Sequence, residues 1–330
     1  MLRLRTLHRS NGSYYLMTTP AGGADPDGLV EPDGRWTGSL AEEFAIGDAV
    51  VDRDGLVNAF KGRDPANGHP LDTRHARVSV GAIDCVFAAP KSVSVLHALG
   101  SDEVGAIVRQ AHIRAVEGAL GFLERNAAFV RRRGNLVEAT GLLAAAFVHR
   151  TSRAPDPHLH THLLVTNLGA DGSGRWSALD GRPIYAQAGG AGSLYRSGLR
   201  REISDHLDIA WERRVEGFAD LIGISKAALR GFSQRSDEID AELQEIGQWS
   251  RRSKEIASDL TRSAKQLDVS YETLVRQWRE RALDLGVARS TMTRLSTPSR
   301  SAAVAGRDDH RVLVRAVETS VSSFDRPFTR

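Results

Sequence analysis

Three histidines near the middle of the chain have the residue type and spacing of a metal site. They lie in the run His149-Arg150-Thr151-Ser152-Arg153-Ala154-Pro155-Asp156-Pro157-His158-Leu159-His160-Thr161-His162. In a strand, side chains two residues apart share a face, so His160 and His162 point the same way. The two prolines and Asp156 form a turn that lets the chain double back and bring His149 across from them. Three imidazoles on one sheet face make a nitrogen site with open coordination positions, which a catalytic cation needs to receive a substrate oxygen. His158 has the same phase. It is a fourth ligand or sits at the rim of the hairpin, against solvent or nucleic acid.

Two further features bear on chemistry. Asp84 falls inside the apolar segment Ile83-Asp84-Cys85-Val86-Phe87, where an ionised carboxylate is costly unless paired. It has three possible roles: holding the outer N–H of a metal-bound imidazole, accepting a tyrosine proton, or bonding nearby backbone. Tyr14 and Tyr15 are adjacent, so they cannot share a helix face. A phenol, with a pKa of about 10, becomes a useful nucleophile only beside a cation or base.

The elements that must position these residues follow from local patterning. Met1–His8 alternates as a strand, and Asn11-Gly12-Ser13 turns or caps the chain ahead of Tyr14. Pro20 to Trp36 is a Gly/Pro/Asp-rich loop, with a helical stretch over Leu40–Phe60 after it. Arg77–Phe87 alternates as a half-buried strand, and Pro90 starts a helix ended by Gly100. Asp102 is expected to cap an amphipathic helix running to about Phe129, with Val104, Ile107, Val108, Ala111, Ala115, Ala119 and Phe122 along its buried stripe. Strands are expected within Leu136–His149, over Leu159–Asn167 and over Arg175–Leu179, the last after a turn at Ala170–Gly174. Helices are expected over Ala186–Leu207 and Lys226–Ile246, and charged helices from Ser250 to Gly286. Ser290–Arg307 reads as a linker, and Val312–Val321 as the first helix of something further.

Composition sets the outer bounds. The chain has 330 residues, 41% of them hydrophobic, enough for a real core. The single cysteine, Cys85, cannot form an internal disulfide, which suits a reducing cytoplasm. Arg3, Arg5, His8 and Arg9 interrupt any leader-like apolar run, and no stretch of about 18 apolar residues reads as membrane-spanning. These features point to a cytoplasmic protein without membrane insertion. The net charge is only +3, but residues 251–330 carry 16 Lys/Arg against 10 Asp/Glu. Such a stretch favours a polyanionic partner and salt-sensitive binding.

With these residues in place, the chain resembles the conjugative relaxases of the TrwC/TraI (MobF) type, within the HUH endonuclease superfamily. The resemblance rests on the Ser-Tyr-Tyr block, GAIDCVFAAPKSVSVLHALG, HRTSRAPDPHLHTHLLVTNLGADGSGRWSALDG and LYRSGLRREI. Weaker similarity runs through GFSQRSDEIDAEL to TRSAKQLDVSYETLVRQW, so that it spans roughly residues 1–288. It implies an α/β (α+β) two-layer fold with a central antiparallel sheet flanked by helices and a C-terminal helical extension. Residues 1–250 would be the catalytic domain, 251–288 helices closing over single-stranded DNA, and 289–330 a linker with the remnant of a helicase region.

It implies that His149, His160 and His162 bind a divalent cation that grips the scissile phosphate. Mg²⁺ or Mn²⁺ is expected in cells, with Zn²⁺ or Ni²⁺ as alternatives favoured by imidazole. Tyr14 would attack that phosphate, giving a 5′-phosphotyrosyl link and a free 3′-hydroxyl, with Tyr15 in reserve. Asp84 would orient a ligand histidine or help activate the tyrosine. The implied partners are single-stranded or hairpin DNA at a transfer origin, secretion-coupling machinery and accessory DNA-binding proteins.

Two departures stand out. The loop from Gly22 to Trp36 lacks the second tyrosine pair of many family members, leaving only Tyr185, Tyr195 and Tyr271 elsewhere. No G-x-x-x-x-G-K-[ST] phosphate loop occurs, and the ending VETSVSSFDRPFTR resembles the start of a motor region, as in a truncated chain. The rival readings are a rolling-circle replication initiator, an impaired relaxase acting as an origin-binding module, and an unrelated three-histidine metallohydrolase.

Overall fold

Alternating apolar residues put five strands into one antiparallel sheet. In the computed structural model the described residues are 2–9, 31–71, 78–212, 219–247 and 269–287, with the single positions Ser250, Ser253, Ala257 and Thr291. The strands are β1 (Leu2–His8), β2 (Arg35–Thr37), β3 (Val80–Ala88), β6 (Ala144–Thr151) and β7 (Pro157–Thr166), in the order β1-β3-β7-β6-β2. Short hairpins are formed by β4 (Phe129–Arg132) with β5 (Asn135–Glu138), and by β8 (Gly169–Ala170) with β9 (Trp176–Ser177). There are eight helices among the described residues, so the mixed α/β class with a central antiparallel sheet holds.

The sheet's two faces differ. One face, with Ile83, Cys85, Phe87, Leu163 and Val165, packs against α3 (Lys91–Leu99), α4 (Asp102–Ala127) and α5 (Gly181–His206). Leu274, Trp278 and Ala282 of α8 (Tyr271–Asp284) join the same core. Gly190 lets α5 approach α4 closely, since a Cβ there would sit 2.8 Å from the Phe122 ring. The other face carries Leu7, Ala82, Ala145, Phe147 and Leu164 at one end, covered by α1 (Ser39–Glu43) and α2 (Arg53–Phe60) through Leu40, Leu56 and Phe60.

Several boundaries depart from local patterning, each for a physical reason. The stretch expected as one helix over Leu40–Phe60 is two, because Ala45 and Asp48 adopt left-handed φ values of 55° and 59°. Their reversal lets Trp36 N–H donate to Ala49 O and Asp48 N–H to Trp36 O. Helix α4 is capped by Ser101, whose Oγ accepts from Val104 N, rather than by Asp102. It ends at Ala127, so Phe129 belongs to β4. Helix α5 begins five residues earlier than expected, with Asp180 capping Arg182 N and Pro183 in the first turn, where a missing N–H costs nothing. The last expected strand shrinks to Trp176–Ser177.

The stretch from Lys226 to Ile246 divides into α6 (Lys226–Gly231) and α7 (Gln234–Ile246). Phe232, fully buried, marks the break. The start of α7 is capped from outside, by the Asp156 carboxylate accepting from Gln234 N at 2.7 Å. The expected linker at Ser290–Arg307 and helix at Val312–Val321 lie outside the described residues, apart from Thr291.

Candidate metal centre

The β6–β7 hairpin brings the three histidines together by register. His149 is paired directly with His160, and His162 lies opposite Phe147, one diagonal step away. Residues opposite one another in an antiparallel pair point to the same face, so all three imidazoles converge. Their ring centroids are 5.1–5.3 Å apart, and one ligand nitrogen from each lies within 4.8 Å of the other two. The pairing shifts immediately after His149. Such an irregularity re-aims side chains and is frequent beside functional sites.

Hydrogen bonds fix which nitrogens are available. His162 Nδ1–H donates to both Asp84 oxygens, at 3.0 and 2.9 Å. His160 Nδ1–H donates to His158 O at 2.8 Å. Each ring therefore keeps Nε2 as its lone-pair nitrogen, the arrangement of a metal-binding imidazole with its outer nitrogen held. Burial, and then the neighbouring His158, His149 and His162, keeps His160 well below its ordinary pKa, so it is neutral at physiological pH. This donor set fits a divalent cation.

Asp84 is 2% exposed. It reaches His162 diagonally, since its direct partners across the sheet are Leu164 and Arg5. Of its three possible roles, the geometry supplies the imidazole-holding one. His158, expected as a fourth ligand or a rim residue, does neither simply. Its ring is half-buried and lies 4.6 Å from that of His160, and its carbonyl orients His160.

Tyr14 and Tyr15 lie outside the described residues. The chain leaves the described region after Arg9, whose guanidinium donates to Phe60 O and Lys61 O. It re-enters at Glu31, a buried carboxylate that accepts from Arg150 N, Thr151 N and Thr151 Oγ1, next to His149. The other tyrosines are engaged elsewhere. Tyr195 is fully buried on the opposite face, Tyr185 bonds Thr6 Oγ1 at 2.8 Å, and Tyr271 carries the Arg150 guanidinium 3.8 Å above its ring.

Sequence reasoning missed two supporting groups. Behind the metal face, Thr161 projects between the two ligand positions of β7 toward His112 Nε2, at 2.8 Å. His112 Nδ1 in turn meets Tyr195 OH at 2.8 Å. Burial pushes His112 down to about 3, so it is neutral, donating through one nitrogen and accepting through the other. A histidine on the apolar stripe of α4 was the available signal.

The second group is a clasp at Pro155-Asp156-Pro157. Trp278 Nε1 donates to Pro155 O at 2.8 Å, and Arg281 Nη1 to Asp156 at 3.0 Å. Lys91 Nζ donates to Pro157 O and Phe232 O. Burial lowers the Lys91 ammonium to about 8, against the raising effect of Asp156. The Asp-Pro of the histidine block thus ties the hairpin to the C-terminal helices and does not face the metal site.

Comparison with known proteins agrees with this architecture. Residues 8–285 match the TrwC relaxase family. The multifunctional conjugation protein TraI of Escherichia coli K12 is 29% identical over 266 residues, covering 76% of this chain but 14% of TraI. The chain thus spans about one seventh of that relative's length. A structure of the conjugative relaxase TrwC with oriT DNA and bound copper superposes with a TM-score of 0.75 at 28% identity, covering 87% of this chain and 99% of that one. TrwC bound to a 27-mer carrying the recognition hairpin and cleavage site gives 0.73 at 27% identity, with the same coverage. The match to the family extends over most of the chain, and the chain belongs to the TrwC relaxase family.

Proposed function

We propose that this chain nicks and rejoins single-stranded DNA at a transfer origin by tyrosine transesterification. The observation that carries this reading is the set of three histidines, each offering one ligand nitrogen within 4.8 Å of the other two, converging beside a buried aspartate bound to His162. His149, His160 and His162 would hold a divalent cation, which would supply positive charge to a phosphate oxygen. The protein's own residues do the rest. Asp84 fixes the His162 tautomer, the His158 carbonyl fixes that of His160, and Glu31 holds the strand next to His149 through Arg150 and Thr151. Tyr14 Oη forms a new ester to the scissile phosphorus, the phenolic proton leaves to base, and the P–O3′ bond breaks. The 3′-oxygen takes up a proton, and the 5′-phosphotyrosyl ester conserves the bond for resealing.

Residues 1–250 and 251–288 act here as one cytoplasmic unit, which would meet secretion-coupling machinery and accessory DNA-binding proteins through other surfaces. Copper in a TrwC complex supports a nitrogen-rich site of broad affinity, with Mg²⁺ or Mn²⁺ the ions used in cells.

The test is a covalent protein–DNA adduct on a single-stranded transfer-origin oligonucleotide with Mg²⁺ or Mn²⁺. Tyr14→Phe should abolish it, whereas an undiminished adduct would move the nucleophile to Tyr15. His160→Ala should lose metal dependence and cleavage together; a fully active variant refutes the three-histidine site. Cleavage of a replication-origin oligonucleotide in preference to a transfer origin would favour the rolling-circle alternative.

A further inference from the structure

Strand β1 reads LRLRTLH and is an edge of the sheet. Its side chains divide by parity. Leu2 and Leu4 pack against the core under α5, while Arg3 and Arg5 project from the opposite face and are exposed. That opposite face is the one bearing the metal centre. Arg3 pairs with Val86, which pairs with His162; Arg5 pairs with Asp84. Two inter-strand steps of about 4.8 Å put the Arg3 backbone about 10 Å from that of His162, a gap that a long arginine side chain narrows.

Neither arginine forms an ion pair with a carboxylate among the described residues, and Asp84 itself holds His162. Two guanidinium groups of like charge, two residues apart on one strand face, favour an anion between them. Guanidinium is the side chain best matched to phosphate oxygens.

We propose that Arg3 and Arg5 grip backbone phosphates of the single strand next to the one held at the histidines, extending the DNA track across β3 to the sheet edge. This rests on the strand-transfer reading above and names the part of the surface that positions the strand. Because the contacts are to phosphate, they add salt-dependent affinity without base preference.

The experiment is fluorescence anisotropy of the full chain with a 5′-fluorescein single-stranded 25-mer over a series of salt concentrations. Each phosphate contact on a single strand adds about 0.7 to the slope of log affinity against log salt. Arg3→Gln/Arg5→Gln should therefore give a slope shallower by about 1.4, and Arg3→Lys/Arg5→Lys should keep the parental slope. The single Gln variants, each expected to lose about 0.7, serve if the double variant does not fold by its thermal midpoint. An unchanged slope in the Gln variants, with parental binding intact, overturns this inference alone and leaves the arginines as charged guards of a sheet edge. A parent chain that does not bind single-stranded DNA overturns the strand-transfer reading as well.

Discussion

Asp84 and His162 show how one buried carboxylate can set the chemistry of a neighbour. The aspartate accepts from Nδ1, so the imidazole must present Nε2 to the site. Replacing it by Asn keeps the shape but removes the charge and allows the ring to be held in the wrong tautomer. Outer partners of metal-bound histidines are typically worth about 10–100-fold in affinity. Asp84→Asn should therefore weaken Mn²⁺ or Zn²⁺ binding by that order in calorimetric titration; an unchanged affinity would show that its bond to His162 does not tune metal binding. On the far side of β7, His112 satisfies two buried hydroxyls. His112→Leu strands both, at about 1–3 kcal/mol for each buried polar group left unpaired. Urea unfolding should show a loss within that range or above, and a neutral result would mean that the hydroxyls find other partners.

At the scale of elements, the hairpin that carries the histidines is also a structural clasp. The Asp156 side chain is completely buried and joins the start of α7 to Arg281 of α8. Removing one member of a buried pair leaves the other uncompensated, a loss of about 3–5 kcal/mol when both are fully buried. Arg281 keeps some solvent contact, so Asp156→Ala should cost about 2–3 kcal/mol. Protection of α8 amides in hydrogen exchange should fall by a similar amount. Unaltered α8 protection would refute the clasp. The helical break at Phe232 belongs to the same device, because Gln234 N–H finds its acceptor across the fold and not in its own sequence.

At the scale of the whole molecule, buried neutral histidines make the fold acid-sensitive. Burial brings His112 to about 3 and His97 to about 4, the latter helped by Arg150 and Arg109. Both lie below the unfolded value of about 6.5, so the unfolded chain binds the extra protons. Their effect is nil above that value, and stability is lost as pH falls through it toward 4 and 3. Between pH 6.5 and 5 the two should together lower stability by on the order of 3 kcal/mol. Urea titrations with chelator present, above the carboxylate range, should show at least this loss, because His158 and His160, also held down by burial, add to it. A flat profile would mean that these sites hydrate before they charge. The buried Cys85 thiol, driven far up by its surroundings, takes no part at any of these pH values.

Much of the candidate site was legible in the chain because strand periodicity is local. His160 and His162 two residues apart, a Pro-Asp-Pro turn and His149 behind it suffice to bring three rings to one face. An aspartate inside an apolar strand likewise announces that it must be paired. Long amphipathic stretches such as α4 and strands such as β7 were readable for the same reason. What the sequence left open is whatever depends on which element lies beside which. That Asp84 meets His162 diagonally across β3 and β7 comes from inter-strand register. The cap on α7 coming from Asp156, and the splitting of two expected helices, also come from distant contacts overriding local propensity. His158, alike in phase to its neighbours, became an orienting residue through its carbonyl and the packing of its ring. Arg3 and Arg5 read in the sequence only as charges that interrupt an apolar run. The order of the strands put them on the metal face, because parity assigns a side chain to a face, while only tertiary structure decides what that face contains.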